Sequence, residues 1–496
     1  MSVTLLDDVQ ALLARAGEVV PPEERAPLDE ARSRLQEPLR VAIAGRIKAG
    51  KSTLLNALVG EELAPTDASE CTRIVTWYRN GLTYDVVGHL RDGSTAKLPF
   101  QRTERAVTVE LGNYAAEAVE SLEVRWPSGR LEAMTLIDTP GTESLSREVA
   151  ARTEAFLEGE DGEASPADAL LYLMQHTHPG DVRLLEMFKD DDFGRGSPVN
   201  AIGVLSRADE IGSCRLDALK VAQEATDRYL ASPEVRRLCL TALPVAGLAA
   251  QAGATLTEQQ FQWLASLTRL APEDLAACLL TADRFAARPE GEVVPEVARR
   301  ELLDRLGLFA VRFSIDAIRT GRTTTSRQLA AELLEASGLP ALRATLATHF
   351  DGRARVLKAR TGLAALERSL RSRANDTEPA AILRDAERLR AGVHEFTEIR
   401  VLTALRSGHV EVDEERAAQL DRVLGGDGDD PALRLALADG ATDRDVMVAA
   451  ADALERWRRL ADHPLAARSL VDAAVAAARS CEGILADLYA KPSTTF

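Results

Sequence analysis

The chain has 496 residues, a formal charge of −17, and a composition that is 46% hydrophobic but only 4% aromatic. That length exceeds one ordinary hydrophobic core and implies two or three domains. The acidic excess excludes a protein whose main partner is nucleic acid, since phosphate neutralisation needs Lys and Arg clustered on a face, and it weakens simple electrostatic docking on anionic lipid.

Residues 1–38 carry Leu5, Leu6, Val9, Leu12 and Leu13 at helical spacing, then Pro21-Pro22, then a second helical stretch through Leu28 and Leu35 that stops before Pro38. Such a stripe needs partner helices, and the C-terminal bundle is expected to supply them. From Arg40 to about Val245 strands and helices alternate, as in an α/β domain with a mostly parallel sheet and helices on both faces. The runs VAIAG, MTLIDTPG, ALLYLM and AIGVLS are too short for helices and read as buried strands.

The first of these strands enters GRIKAGKS, Gly45 to Ser52, and the run TLLNALV leaves it as a helix. Gly45 and Gly50 let the backbone turn its N–H groups onto a β-phosphate at the positive end of that helix, so Gly45, Arg46, Ile47, Lys48, Ala49, Gly50, Lys51, Ser52 and Thr53 form a nucleotide cradle. Lys51 reaches the β- and γ-phosphates, and the Ser52 hydroxyl is a ligand for Mg²⁺. Thr72, in the polar segment PTDASECTRIVTW, is a second expected Mg²⁺ ligand from a switch loop. Next, TYDVVGHL and STAKLPF flank Arg91-Asp92-Gly93-Ser94 as a hairpin.

DTPG, Asp138 to Gly141, follows the strand MTLI, placing an acidic group beside the metal and a glycine N–H toward the γ-phosphate; Thr142 and Ser144 continue into a segment able to rearrange. After AIGVL stand Ser206, Arg207 and Asp209. Asp209 matches the two donors of a guanine edge, which adenine lacks, and the planar guanidinium of Arg207 can stack on a base. Further on, Ala246 and Gly247 in LPVAG are expected to turn N–H groups to the guanine oxygen.

From Thr255 the pattern is helical, with turns at Arg288–Gly291, Gly338–Pro340, Gly425–Pro431 and His463-Pro464. Met447, Ala450, Leu454, Trp457 and Leu460 make one core stripe, and Val471, Val475, Ala478, Cys481 and Leu485 another. LGLFAVRFSI, Leu306 to Ile315, reads as buried, and the arginines from Arg353 to Arg373 as a solvated face. His176 and His178 have no third metal ligand, and the acidic turn GGDGDDP lacks calcium-loop spacing. Five scattered cysteines without a CxxC pair suggest neither disulfides nor zinc, hence a reduced, cytoplasmic chain. No stretch is apolar enough to span a membrane, so any membrane contact is expected to be peripheral.

The phosphate loop, the PTDASECTRIVTW switch, DTPG, SRADEIG and SGLPALRATLATHFDGRARVLKARTGLAALE together resemble the bacterial dynamin-like GTPases, from about Glu37 to the C-terminus. The resemblance implies a dynamin-type GTPase domain over 39–340 (core 39–250, helical extension 251–340) and a helical neck over 341–496 on which residues 1–38 pack. It also implies GTP and GDP as nucleotides, self-association through the GTPase domain, and action at the inner face of the plasma membrane in envelope stress. Asp181 corresponds loosely to a segment that contacts the partner GTPase domain.

Two positions depart from the dynamin pattern. Where dynamins carry Gln and Ser, this chain has Ile47 and Lys48, and an isoleucine cannot orient an attacking water. The Lys48 ammonium can take the place of the monovalent cation that dynamins hold there, so Lys48, Lys51, Thr72 and Gly141 are the candidate catalytic residues. Two functions remain open: a GTPase that pairs and remodels or tethers membrane, and a GTP-loaded scaffold that assembles with a longer dynamin-like partner and hydrolyses little.

Overall fold

A computed structural model describes residues 5–490 except 65–73, 103–106, 142–155, 157–164, 176–199, 232–234, 236–238, 288–292, 352, 407 and 439. Helices α1 (Leu5–Val19) and α2 (Ala26–Gln36) precede strand β1 (Leu39–Gly45), which runs into α3 (Lys51–Val59). Then come β2 (Val75–Asn80), β3 (Asp85–Leu90), β4 (Thr95–Lys97), β5 (Phe100–Arg102), β6 (Val107–Val109), β7 (Val119–Trp126) and β8 (Met134–Asp138). The rest of the sheet is β9 (Ala169–Met174), β10 (Ala201–Ser206), α4 (Ala218–Ala231) and β11 (Ala242–Val245).

Nine strands form one sheet in the order β11-β10-β9-β1-β8-β2-β7-β3-β4, and β5 pairs with β6 apart from it. The pairs from β11 to β8 and the pair β2–β7 are parallel, whereas β2–β8, β7–β3 and β3–β4 are antiparallel. The predicted hairpin is present as β3–β4. Strands β1, β9 and β10 are buried along their whole length, because helices cover both faces where the sheet is parallel. Leu54, Leu55 and Leu58 of α3 fill one face and Ala222 of α4 joins the other.

A helical extension follows: α5 (Gly247–Thr255), α6 (Glu258–Leu267), α7 (Pro272–Cys278), α8 (Ala282–Ala287), α9 (Glu296–Arg319) and α10 (Ser326–Ala336). Its core is built from Phe261, Leu264, Phe285, Leu302, Phe309, Leu329 and Leu333, and Leu306, Phe309, Val311 and Ile315 of the LGLFAVRFSI run are buried in it. Thr257 starts α6 with a capping box to Gln260, the local signal that restarts the chain as a helix after Leu256.

The remaining helices are α11 (Leu339–Leu346), α12 (Ala354–Arg371), α13 (Thr377–Gly392), α14 (His394–Arg406), α15 (Glu414–Val423), α16 (Pro431–Arg434), α17 (Asp443–Ala461) and α18 (Arg468–Ala490). Val9, Leu13, Leu28 and Leu35 of the first two helices share a core with Leu363 and Leu370 of α12, Leu402 of α14, Trp457 of α17 and Cys481 of α18. The boundary expected at residue 341 falls inside α11, whose Leu339, Leu342 and Leu346 belong to the sheet core. The break comes later, in a π-helical turn at Ala347–Asp351. The solvated face expected between Arg353 and Arg373 is corrected in part: Arg355 and Arg371 are exposed, but Arg353 and Arg360 are only 6% and 3% exposed.

Candidate functional site

Strand β1 delivers the phosphate loop to the C-terminal edge of the sheet, where open α/β sheets take their ligands. Gly45 has φ +150°, and a Cβ there would lie 2.5 Å from the Leu173 carbonyl oxygen, so only glycine lets β1 pass β9 into the turn. Gly50 and Lys48 are left-handed, with φ +87° and +61°, which closes the loop before α3. The half-buried Lys51 folds its ammonium over this loop and donates to the carbonyls of Gly45 and Arg46 at 3.2 Å each. Burial lowers its pKa, opposed by the Asp138 carboxylate.

Asp138 ends β8, beside Ile43 of β1. The Ser52 hydroxyl donates to its Oδ2 at 3.0 Å, while its Oδ1 is buried with no hydrogen-bond partner among the described residues. Burial raises the Asp138 pKa against the pull of Lys51 and Ser52. A hydroxyl and an orphaned carboxylate oxygen beside a phosphate loop are the oxygen donors that a hard divalent cation takes, so the residues present fit Mg²⁺. Thr139 fixes the next turn by donating to the Ile43 carbonyl at 2.9 Å. Gly141 lies against the loop: a Cβ there would come within 2.8 Å of Ile47 Cα. Ile47 itself is 50% exposed.

Beside the phosphate loop lies a cavity of about 200 Å³ walled by Ala49, Thr53, Ser206, Arg207, Asp209 and Leu248. Asp209 is buried on its edge, and burial pushes its carboxyl up to about 6. Arg207 spans the opening, donating to the Lys48 carbonyl at 3.0 Å and to Glu210 at 3.1 Å. Ser206 is buried and donates to the Met174 carbonyl at 3.2 Å, which ties β10 to β9.

The expected role of Ala246 is corrected. Its N–H donates to the Ser337 carbonyl at 2.9 Å, so it is not turned toward the cavity. Helix α5 begins at Gly247, leaving the first-turn N–H groups from Gly247 onward without intrahelical acceptors. A contact not read from the sequence is Gln175, directly after β9, which donates to the Lys48 carbonyl at 3.3 Å. Its signal was the first polar side chain after a fully apolar strand. Thr72, Thr142, Ser144, His176, His178 and Asp181 lie outside the described residues. Among those described, no cluster of three or more His, Cys, Asp or Glu could hold a metal, and no helix is long and apolar enough to cross a membrane.

A phosphate loop joined to a cation-ready Ser–Asp pair and an acid-edged cavity, on this sheet and with this helical part, fits a dynamin-like GTPase, a class that binds GTP and GDP. A model described as the dynamin family matches residues 41–189. The chain is 39% identical over 464 residues to the isoniazid-induced protein IniC of Mycobacterium tuberculosis, covering 94% of this chain and 93% of that protein. It belongs to the IniC family of bacterial dynamin-like proteins. The bacterial dynamin-like protein of Nostoc punctiforme is 31% identical over 163 residues, 30% of this chain and 22% of that one. A solved structure described as an oligomerised bacterial dynamin pair aligns over 98% of this chain and 74% of its own at 13% identity and a TM-score of 0.32, a likeness too distant to carry weight.

Proposed function

We propose that this chain binds GTP with Mg²⁺ and hydrolyses it to GDP and phosphate. The observation that carries the reading is the convergence of Lys51, Ser52 and Asp138 on one corner of the sheet, with Asp209 across an adjoining cavity. Lys51 and the loop N–H groups hold the β- and γ-phosphates. Ser52, Asp138 and Thr72 would hold Mg²⁺, which when bound neutralises phosphate charge. The Gly141 N–H meets the γ-phosphate, and its lack of a side chain lets it approach Ile47. Asp209 accepts from the guanine N1–H and 2-amino groups, Arg207 lays its guanidinium along the base, and the Gly247 N–H meets O6.

The dynamin-type domain runs from residue 39 through α11 in this reading, and the bundle with residues 1–38 is its neck. Pairing through the GTPase domains orders the switch segments and raises an otherwise slow rate. The Lys48 ammonium, on an exposed loop position, neutralises charge developing on the transferred phosphoryl group. The chain acts peripherally on the cytoplasmic membrane, remodelling, fusing or tethering it. A second reading is favoured by one feature: the exposed Ile47 cannot orient water, which suits a GTP-loaded scaffold for a longer dynamin-like partner.

Steady-state hydrolysis across a wide range of protein concentration tests the proposal, with ATP as control and with or without anionic liposomes. A rate per molecule that climbs with concentration and is absent with ATP is expected. A flat, near-zero rate despite GTP binding overturns the enzymatic reading and leaves the scaffold.

A further inference from the structure

Helix α9 contains one residue of non-helical geometry, Gly307, with φ 75° and ψ 164°. Interrupting a helix with a glycine sacrifices backbone hydrogen bonding and adds conformational entropy, so the location of the break is informative. It lies behind the base cavity. A Cβ on Gly307 would sit 3.3 Å from Leu248 Cδ1 and 3.7 Å from Asp209 Oδ2. Leu248 walls the cavity and Asp209 is its acid.

The same helix grips the far end of the base loop. Arg312 donates to the carbonyls of Ser213 at 2.6 Å and Cys214 at 2.7 Å, and its Nε donates to the Leu279 carbonyl at 3.1 Å. Gly212, Ser213 and Cys214 are left-handed in succession, with φ 68°, 63° and 56°. Two non-glycine residues in that region persist only when the surroundings hold them, and Arg312 is what holds these. Thus α9 meets the loop that carries Asp209 at two points, from outside the sheet.

We propose that Gly307 is a positioning residue for base recognition. Its bare backbone lets Asp209 and Leu248 lie back against α9, and this sets the depth at which the carboxylate meets the base. A Cβ at 307 crowds Leu248 and cannot keep the φ 75°, ψ 164° backbone, so α9 shifts against the loop that carries Asp209 and misaligns the paired acceptors. The inference rests on the reading of the cavity as a guanine site.

Displacement of a fluorescent guanine nucleotide by GDP, IDP and ADP from the full chain tests it. IDP lacks the 2-amino group, so its deficit against GDP reports the second hydrogen bond to Asp209, roughly tenfold or more for a charged acceptor. Gly307→Ala is expected to shrink the GDP-over-IDP preference several-fold. Gly321→Ala, at φ +72° with nothing within 4 Å of a new Cβ, serves as the control for a positive-φ glycine away from the cavity and keeps the wild-type ratio. Loss of folding alone lowers both affinities together and leaves the ratio unchanged. If Gly307→Ala does not fold, Arg312→Gln reads the same grip and is expected to move the ratio the same way. A wild-type ratio in Gly307→Ala, or in Arg312→Gln where that variant replaces it, overturns the proposal and spares the guanine reading. Wild-type protein with no preference for GDP over IDP and ADP overturns both.

Discussion

In the proposed guanine site, the charge state of Asp209 decides binding. Burial holds its carboxyl at about 6, and only the ionised form can accept both donors of a guanine edge, because protonation turns one oxygen into a donor. GDP affinity is therefore expected to be constant above about pH 7 and to weaken as pH falls through 6, approaching tenfold per unit below it. Asp209→Asn should abolish that dependence and exchange GDP for XDP, whose C2 carbonyl accepts from the new amide; titrations of both nucleotides between pH 5 and 8 check it. Lys51→Ala removes the ammonium over the loop, and a loss of about 100-fold or more in GDP affinity is expected from charge-assisted bonds of this kind. These residues were legible in the sequence because phosphate and base chemistry demand fixed residue types at fixed spacings. Ala246 was misread for the opposite reason: its N–H is drawn off by the Ser337 carbonyl, a partner no local pattern reveals. Gly307 was invisible too, since its role depends on which loop the helix passes.

Elements show the same division. Strands β1, β8, β9 and β10 were legible as short apolar runs, and α6 carries a capping box that declares its start. The π turn at Ala347–Asp351 carries no such sign, nor did the acidic turn GGDGDDP, which fits closely around it. A Cβ on Gly428 would fall 2.1 Å from Thr348 Cγ2, and one on Gly425 would fall 2.5 Å from the Arg353 guanidinium. His349 sits inside this joint, where burial and the charges of Arg353 and Arg406 push its pKa down to about 4, against the pull of Asp421. The unfolded chain binds a proton at about 6.5, so between those values it takes up protons that the folded chain refuses. Stability is then complete above about pH 7 and falls as acid is added, by about 3 kcal/mol from this group by pH 4. Urea titrations at several pH values should show His349→Gln with a shallower decline over that window. Equal slopes would mean that the joint admits water and the histidine titrates freely.

At the scale of the molecule, a buried ionic junction joins the sheet domain and the bundle. Asp168, just before β9, accepts from Arg34 of α2 at 2.7 Å, from the Arg40 N–H at the start of β1 at 2.9 Å, and from Thr361 of α12 at 3.2 Å. Around it α12 packs tightly on the first two helices, for a Cβ on Gly362 would lie 2.9 Å from Val9 and 3.4 Å from Leu35. That residues 1–38 need helical partners was legible from their stripe; that a carboxylate beyond the sheet would fasten them was not. Asp168→Ala leaves Arg34 buried and unpaired, and a loss of about 3–5 kcal/mol is expected, read as a lower urea midpoint. Only Val41 to Ala44 stand between Arg40 and Gly45, but that strand rises roughly 17 Å, so GDP affinity in native buffer should scarcely change. A lower midpoint with intact affinity would make the junction a fastening independent of the nucleotide site. A matching fall in affinity would instead make β1 a rigid link through which the bundle bears on the phosphates, and Arg34→Met with Asp168→Leu, an apolar replacement of the pair, would then restore stability without restoring binding.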